Sequence, residues 1–173
     1  MMTPSSLRQL PLFNGISESE ATLITSDMTT MKFDAGATIL HEGKSIQALW
    51  IILQGSCRVI RTASDRSERV LDELRTGDTF GEMSFVRSAP HSATVRAVSE
   101  VAVCTWTRED FLKLAESHPT ASFRIVSHIA AVLSDRLRRM DEWICEFVEN
   151  HEQPHRQNEW QNFRSVVYSN WNL

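Results

Sequence analysis

Between residues 31 and 106 the chain alternates short β-prone runs with turn residues. The runs are 37–40, 49–53, 57–61, 69–74, 93–97 and 101–106. Five of the six glycines lie between Gly36 and Gly81, each at a break between runs, where a tight turn demands the positive φ that glycine supplies. Many short strands at this spacing predict a β-sandwich, jelly roll or small barrel. The pattern on either side is helical. Up to about Met28, Leu12, Phe13 and Ile16 precede a Ser17–Glu20 pair that reads as a capping box: the serine oxygen accepts from a free helix N–H and the glutamate reaches back to the serine's own. After the β zone, Thr107 and Asp110 form a looser cap for a short helix through Phe111, Leu112 and Leu114, which Pro119 interrupts.

A long helix is then predicted over 120–150. Val126, Leu133, Met140 and Phe147 form one heptad series, and Ala130, Leu137 and Ile144 the other. Two apolar series offset by three or four describe a coiled-coil seam. It stops where His151 and Pro154 take the next positions. The first half of such a helix can pack on the β core, but its length overruns a small barrel at about 1.5 Å per residue, so the second half is expected to form a homodimer. Residues 1–150 are read as one domain and 151–173 as a short tail bearing Trp160, Phe163, Tyr168 and Trp171.

Composition narrows the function classes. A formal charge of −4 over 173 residues gives no global attraction to nucleic acid. The dense run Arg136-Leu-Arg-Arg139 is flanked by Asp135, Asp141 and Glu142 and reads as a solvated helix face. The tail carries two arginines and two glutamates, too short and too neutral for a helix-turn-helix DNA reader. The longest apolar run, residues 48–53, is too short to span a bilayer, and the first residues lack a secretory pattern. Cys57, Cys104 and Cys145 are odd in number and widely spaced, as expected of unpaired thiols in a reducing cytoplasm. An enzyme is not expected: there is no His-x-His pair, His41 and Glu42 are adjacent, Pro154 separates His151 from His155, and no nucleophile elbow occurs. Neither a metal nor a cofactor is predicted.

The chemistry concentrates in "FGEMSFVRSAPHSATVRA", residues 80–97. Gly81 permits close backbone approach. A short helical turn after it leaves the amides of Met83 and Ser84 free for an anion. Glu82, repelled by such an anion, is suited to a neutral hydroxyl donor such as a ribose 2′-OH, while the following loop brings His91 and Ser92 to the anion. With "LPLFNGISESE", "AGATILHEG", "LWIILQGSCRVI", "LRTGDTFGEMSF" and "RIVSHIAAVLSDRLR" in that order, the stretch from Leu10 to about Arg139 resembles the cyclic-nucleotide-binding domain family. That family includes the regulatory subunit of cAMP-dependent protein kinase and the bacterial catabolite activator protein.

The resemblance implies a mainly β fold, a jelly roll with flanking helices and a long C-terminal helix. It implies a non-enzymatic sensor of cAMP or cGMP, signalling to an effector protein by movement of that helix about a hinge near residues 117–119. Glu82 would take the ribose 2′-OH, and the region of Phe80, Gly81, Met83, Ser84 and Ala93 would offer backbone contacts. Ser92 would hold the phosphate or purine, and Arg136 the purine edge. The departure is His91, where tight binders of the family carry arginine. Replacing two charge-assisted bonds by an imidazole that is only partly charged costs on the order of 1.5–3 kcal/mol, about ten- to a hundredfold in affinity. Arg87 in the same loop reads first as a solvated loop arginine, with a substitute phosphate ligand as the other reading. The alternative is a degenerate domain that has lost its nucleotide and serves as a dimeric protein-interaction module.

Overall fold

The computed structural model describes residues 2–149; the expectations for the tail lie outside them. The N-terminal segment is helical. Helix α1 (Pro4–Arg8) starts at Thr3, whose hydroxyl accepts from the Ser6 N–H, with a proline in its first turn. A 3-10 turn (Pro11–Phe13) leads to α2 (Glu18–Asp27). The capping box at its start is complete: the Glu20 N–H donates to Ser17 Oγ at 3.2 Å and the Ser17 N–H to Glu20 Oε2 at 2.7 Å.

Eight antiparallel strands follow in two four-stranded sheets. They are β1 (Thr29–Phe33), β2 (Thr38–Leu40), β3 (Ala48–Gln54), β4 (Ser56–Thr62), β5 (Glu68–Arg75), β6 (Thr79–Phe80), β7 (Thr94–Ala97) and β8 (Val101–Thr107). One sheet has the order β1-β8-β3-β6 and the other β2-β7-β4-β5. This is the expected jelly roll with flanking helices. Two strands exceed the sequence expectation. In β1 four of five residues are exposed, so it carries no burial alternation, and the two residues of β6 are defined by pairing with Trp50 and Ile51.

Strand β3 is buried along both faces, which is why it reads as a continuous apolar run rather than an alternating one. Trp50 and Ile52 join Cys57, Leu74, Phe80 and Val103 in the core shared by the two sheets. Leu49, on the alternate face of the strand, pairs in register with Trp106. There Trp106 contacts Phe13, Phe85 and Phe111 at ring-centroid distances of 5.6–6.3 Å.

Helix α3 (Glu82–Val86) interrupts the β zone, and α4 (Arg108–Ser117) begins at the Thr107 cap. Helix α5 runs from Pro119 to Glu149, starting one residue before the predicted 120. Among the described residues the chain divides after Ile129 into two compact units. Within the first, Ala121, Ile125 and Ile129 of α5 are fully buried, a stripe at four-residue spacing. Arg124 donates to the Gly15 carbonyl and His128 Nδ1 to that of Leu12 at 3.0 Å. The seam positions lie elsewhere on the helix: Val126, Leu137 and Met140 are exposed, while Leu133 and Ile144 are half-buried. The Phe147 side chain is outside the described set.

Candidate functional site

The cassette begins where β6 stops. Phe80 stacks on Trp50, with centroids 5.8 Å apart and planes inclined by 13°. Gly81 has φ +82°, and a Cβ there would lie 2.7 Å from the Ala48 carbonyl oxygen and 2.9 Å from Trp50 Cδ1. Both the conformation and the space therefore require glycine. Its left-handed turn starts α3, whose first helical bond is from the Phe85 N–H to the Gly81 carbonyl at 3.0 Å. The amides of Met83 and Ser84 come before that bond and have no partner within the helix.

The side chains of this turn diverge. Glu82 is buried, with 4% exposure. Met83 is exposed, and Ser92 Oγ, also at the surface, donates to its sulfur at 3.8 Å. Ser84 is buried, and its hydroxyl lies 3.0 Å from the Gly81 carbonyl and 3.2 Å from that of Ile46. Ala93 is half-buried and leads into β7. Arg87 is exposed just past α3, its N–H bonded to the Met83 carbonyl.

His91 is the position that sequence reasoning assigned to the anion. It is buried, with 7% exposure, and its contacts run to the segment 41–47 between β2 and β3, here termed the strap. The Ile46 N–H donates to Nε2 at 3.2 Å, and Nδ1 lies 3.2 Å from Ser84 Oγ. The His91 backbone is tied there too, its N–H to the Lys44 carbonyl at 2.8 Å and its carbonyl to the Gly43 N–H at 2.9 Å. Because Nε2 accepts, the neutral ring carries its proton on Nδ1 and donates it to Ser84. An arginine, which has only donors, has nothing to accept the Ile46 N–H. Burial pushes the imidazole below its ordinary value, so the ring at this position is uncharged near neutral pH. The strap is completed by Gln47 Nε2 donating to Ser88 Oγ at 2.6 Å and by the Arg108 N–H on the Gln47 carbonyl at 2.8 Å.

This left-handed glycine, buried glutamate and short helix between two strands of a jelly roll match a known pattern. The sequence model of the cyclic nucleotide-binding domain matches residues 30–118. The chain belongs to the cyclic nucleotide-binding domain family. It is 35% identical over 132 residues to the cyclic AMP receptor protein of Thermus thermophilus, a match spanning 76% of this chain and 59% of that one. It is 29% identical over 108 residues to the cAMP-dependent protein kinase regulatory subunit of Hypocrea atroviridis, covering 62% and 22%. Among solved structures, Thermus thermophilus catabolite activator protein superposes with a TM-score of 0.70 at 32% identity, over 79% of this chain and 62% of that one. A cyclic nucleotide-binding domain from Methylobacillus flagellatus gives 0.75 at 20% identity, over 83% of each. The chain thus spans about six-tenths of the length of the first curated relatives it matches.

Within this domain the structure gathers Phe80, Gly81, Glu82, Met83, Ser84, His91, Ser92 and Ala93 around one turn, with Arg87 beside it. Arg136 belongs to the second unit, on α5, and is half-buried. The strap and Trp50 are the parts of the site that sequence reasoning did not assign. A glycine break at Gly43 is their only local signal, and it does not reveal a bond to a residue 45 positions away. Among the described residues no helix is long and apolar enough to cross a membrane.

Proposed function

We propose that this chain is a regulatory, non-enzymatic module that takes a cyclic purine mononucleotide, cAMP or cGMP, in the 80–97 cassette. Glu82 carries the reading. A carboxylate with 4% exposure, next to a glycine that admits close approach, is an acceptor suited to a sugar hydroxyl donor. The anion would meet the amides of Met83 and Ser84, with Ser92, Ala93 and Arg87 around it. Movement of α5 would carry the signal to an effector. The clamp of Arg124 and His128 on the N-terminal segment supports placing any bend of α5 after those residues rather than only near 117–119. The exposed Val126, Leu137 and Met140, with Phe123 three residues ahead at 74% exposure, support a homodimer through the seam.

The test is calorimetric titration with cAMP and cGMP, on the protein and on Glu82→Gln. The expected result is binding of one or both, weakened about ten- to a hundredfold by losing a charged acceptor. Binding unaffected by Glu82→Gln would remove the ribose assignment. A second reading, the dimeric interaction module without nucleotide, is favoured by one observation: the arginine position is filled by a ring whose two nitrogens are both engaged within the protein. Absence of heat with either nucleotide would select it.

A further inference from the structure

We infer that His91 is a proton-released staple: as neutral imidazole it pins the strap to the cassette, and on taking a proton from solvent it lets go and turns its positive ring toward an anion bound there. The first half stands on the geometry alone. The second rests on the reading of the cassette as a cyclic-nucleotide site.

The hydrogen-bond directions decide the mechanism. Nε2 accepts from Ile46, Nδ1 donates to Ser84, and the Ser84 hydroxyl in turn donates a hydrogen bond to the Gly81 or Ile46 carbonyl. This chain satisfies every polar atom of a ring that is nine-tenths buried. A proton on Nε2 sets two N–H donors against each other at 3.2 Å, which removes one bond and strands the Ile46 amide. Of the charged groups on the elements around the ring, none offsets its burial, which holds the imidazole below its ordinary value. These groups are Glu82 on α3, Arg87 just past it, His41, Glu42 and Lys44 on the strap, and Arg108 at the start of α4. The staple is thus neutral where the strap is closed, and protonation favours the open form. With an open-state value near the ordinary ~6.5, the opening equilibrium grows roughly tenfold per pH unit below that point, until the closed form itself titrates.

Three measurements separate the two halves. Nitrogen-detected NMR of the imidazole at pH 7.5 is expected to show the neutral Nδ1–H form, which is the minor one for free histidine in water. The Nε2–H form would overturn the staple, and this test needs no variant. Hydrogen exchange at the amides of Gly43, Ile46 and His91, corrected for intrinsic rate, is expected to lose protection as pH falls below ~6.5, by at most about tenfold per pH unit and levelling off where the closed form itself titrates. His91→Gln, which keeps an acceptor that does not titrate, should abolish that dependence. Exchange indifferent to pH in the unmodified protein would overturn the proposal.

Calorimetry with cAMP at pH 7, in two buffers of different ionisation enthalpy, then reads proton uptake on binding. Uptake approaching one proton per nucleotide, lost in His91→Gln, supports the full mechanism. Binding without uptake overturns the turning of His91 to the anion while leaving the cyclic-nucleotide reading intact. No binding, with the pH-dependent exchange still present, removes the ligand reading and leaves the staple standing.

Discussion

Gly81 is where local backbone and packing meet most sharply, and Gly81→Ala tests both. Its φ of +82° costs an L-residue about 1–2 kcal/mol. The added methyl would also stand 2.7 Å from the Ala48 carbonyl and 2.9 Å from Trp50 Cδ1. Neither neighbour yields easily: Ala48 lies on β3 in register with Thr107, and the Trp50 ring is stacked on Phe80. Overpacking of this kind adds roughly 1–3 kcal/mol. Gly77→Ala is the control, because Gly77 has φ +93° and a methyl added there would meet nothing within 4 Å. It carries the conformational cost without the clash. Urea unfolding followed by circular dichroism should place Gly81→Ala about 2 kcal/mol below Gly77→Ala with an unchanged m-value, and its Tm roughly 5 °C lower. Equal stabilities within about 0.5 kcal/mol, the usual scatter for sites without special features, would refute the steric argument and with it the tight seating of the cassette on β3.

Further outcomes follow from other parts of the chain. Ser17→Ala removes an observed cap and should cost about 1 kcal/mol. Its partner Glu20 is held below its ordinary value first by the Ser17 backbone N–H and then by the Ser17 hydroxyl. The unfolded chain therefore binds this proton first on acidification, so the contribution is present above ~4.5 and is lost as pH falls through the folded value. The stability gap between the protein and Glu20→Gln should shrink over that window, and a gap constant down to pH 3 would sink the capping argument. Of the three thiols, burial pushes Cys57 up to about 11 and raises Cys104, while Cys145 is exposed. One thiol per chain should therefore react with an aromatic disulfide at pH 8, and three in denaturant; two or more fast native thiols would contradict the packing of β4 and β8. Leu137→Glu with Met140→Glu should turn a dimer into a monomer in sedimentation velocity, whereas an unchanged coefficient would discard the seam.

What the sequence made legible was local. The Ser17–Glu20 box and the Thr107 cap each involve partners three residues apart, and both are formed. The six β runs are visible as short β-prone stretches, the first four of them set off by glycine breaks, and all belong to strands. Strand β1 escapes such a reading since Thr29–Phe33 lies mostly in solvent and carries no periodic signal. Strand β6 is too short to signal anything by itself. In α5 the heptad seam is legible, but the stripe that meets the core, Ala121, Ile125 and Ile129, has the same apolar character and only tertiary packing tells them apart. At the cassette, sequence points to the stretch from Phe80 to Ala93 and marks His91 as a departure, but it does not point to Trp50 or Ala48, which pack against Gly81. The direction of the His91 ring depends on Ile46 and Ser84, one of them reached only by folding the sheet.

The strap has a consequence for how this chain tolerates changes of length. Segments joining strands ordinarily accept insertions, because their backbone faces water. The turn 63–67, tied mainly to itself through the Ala63–Ser67 and Arg66–Ala63 backbone bonds, is of that ordinary kind. Residues 43–47 are not, since successive backbone groups of Gly43, Lys44, Ile46 and Gln47 each have a fixed partner on the cassette or α4. One residue added there would shift all of these out of register at once, so a surface connection between β2 and β3 is held to the fixed length of a core strand.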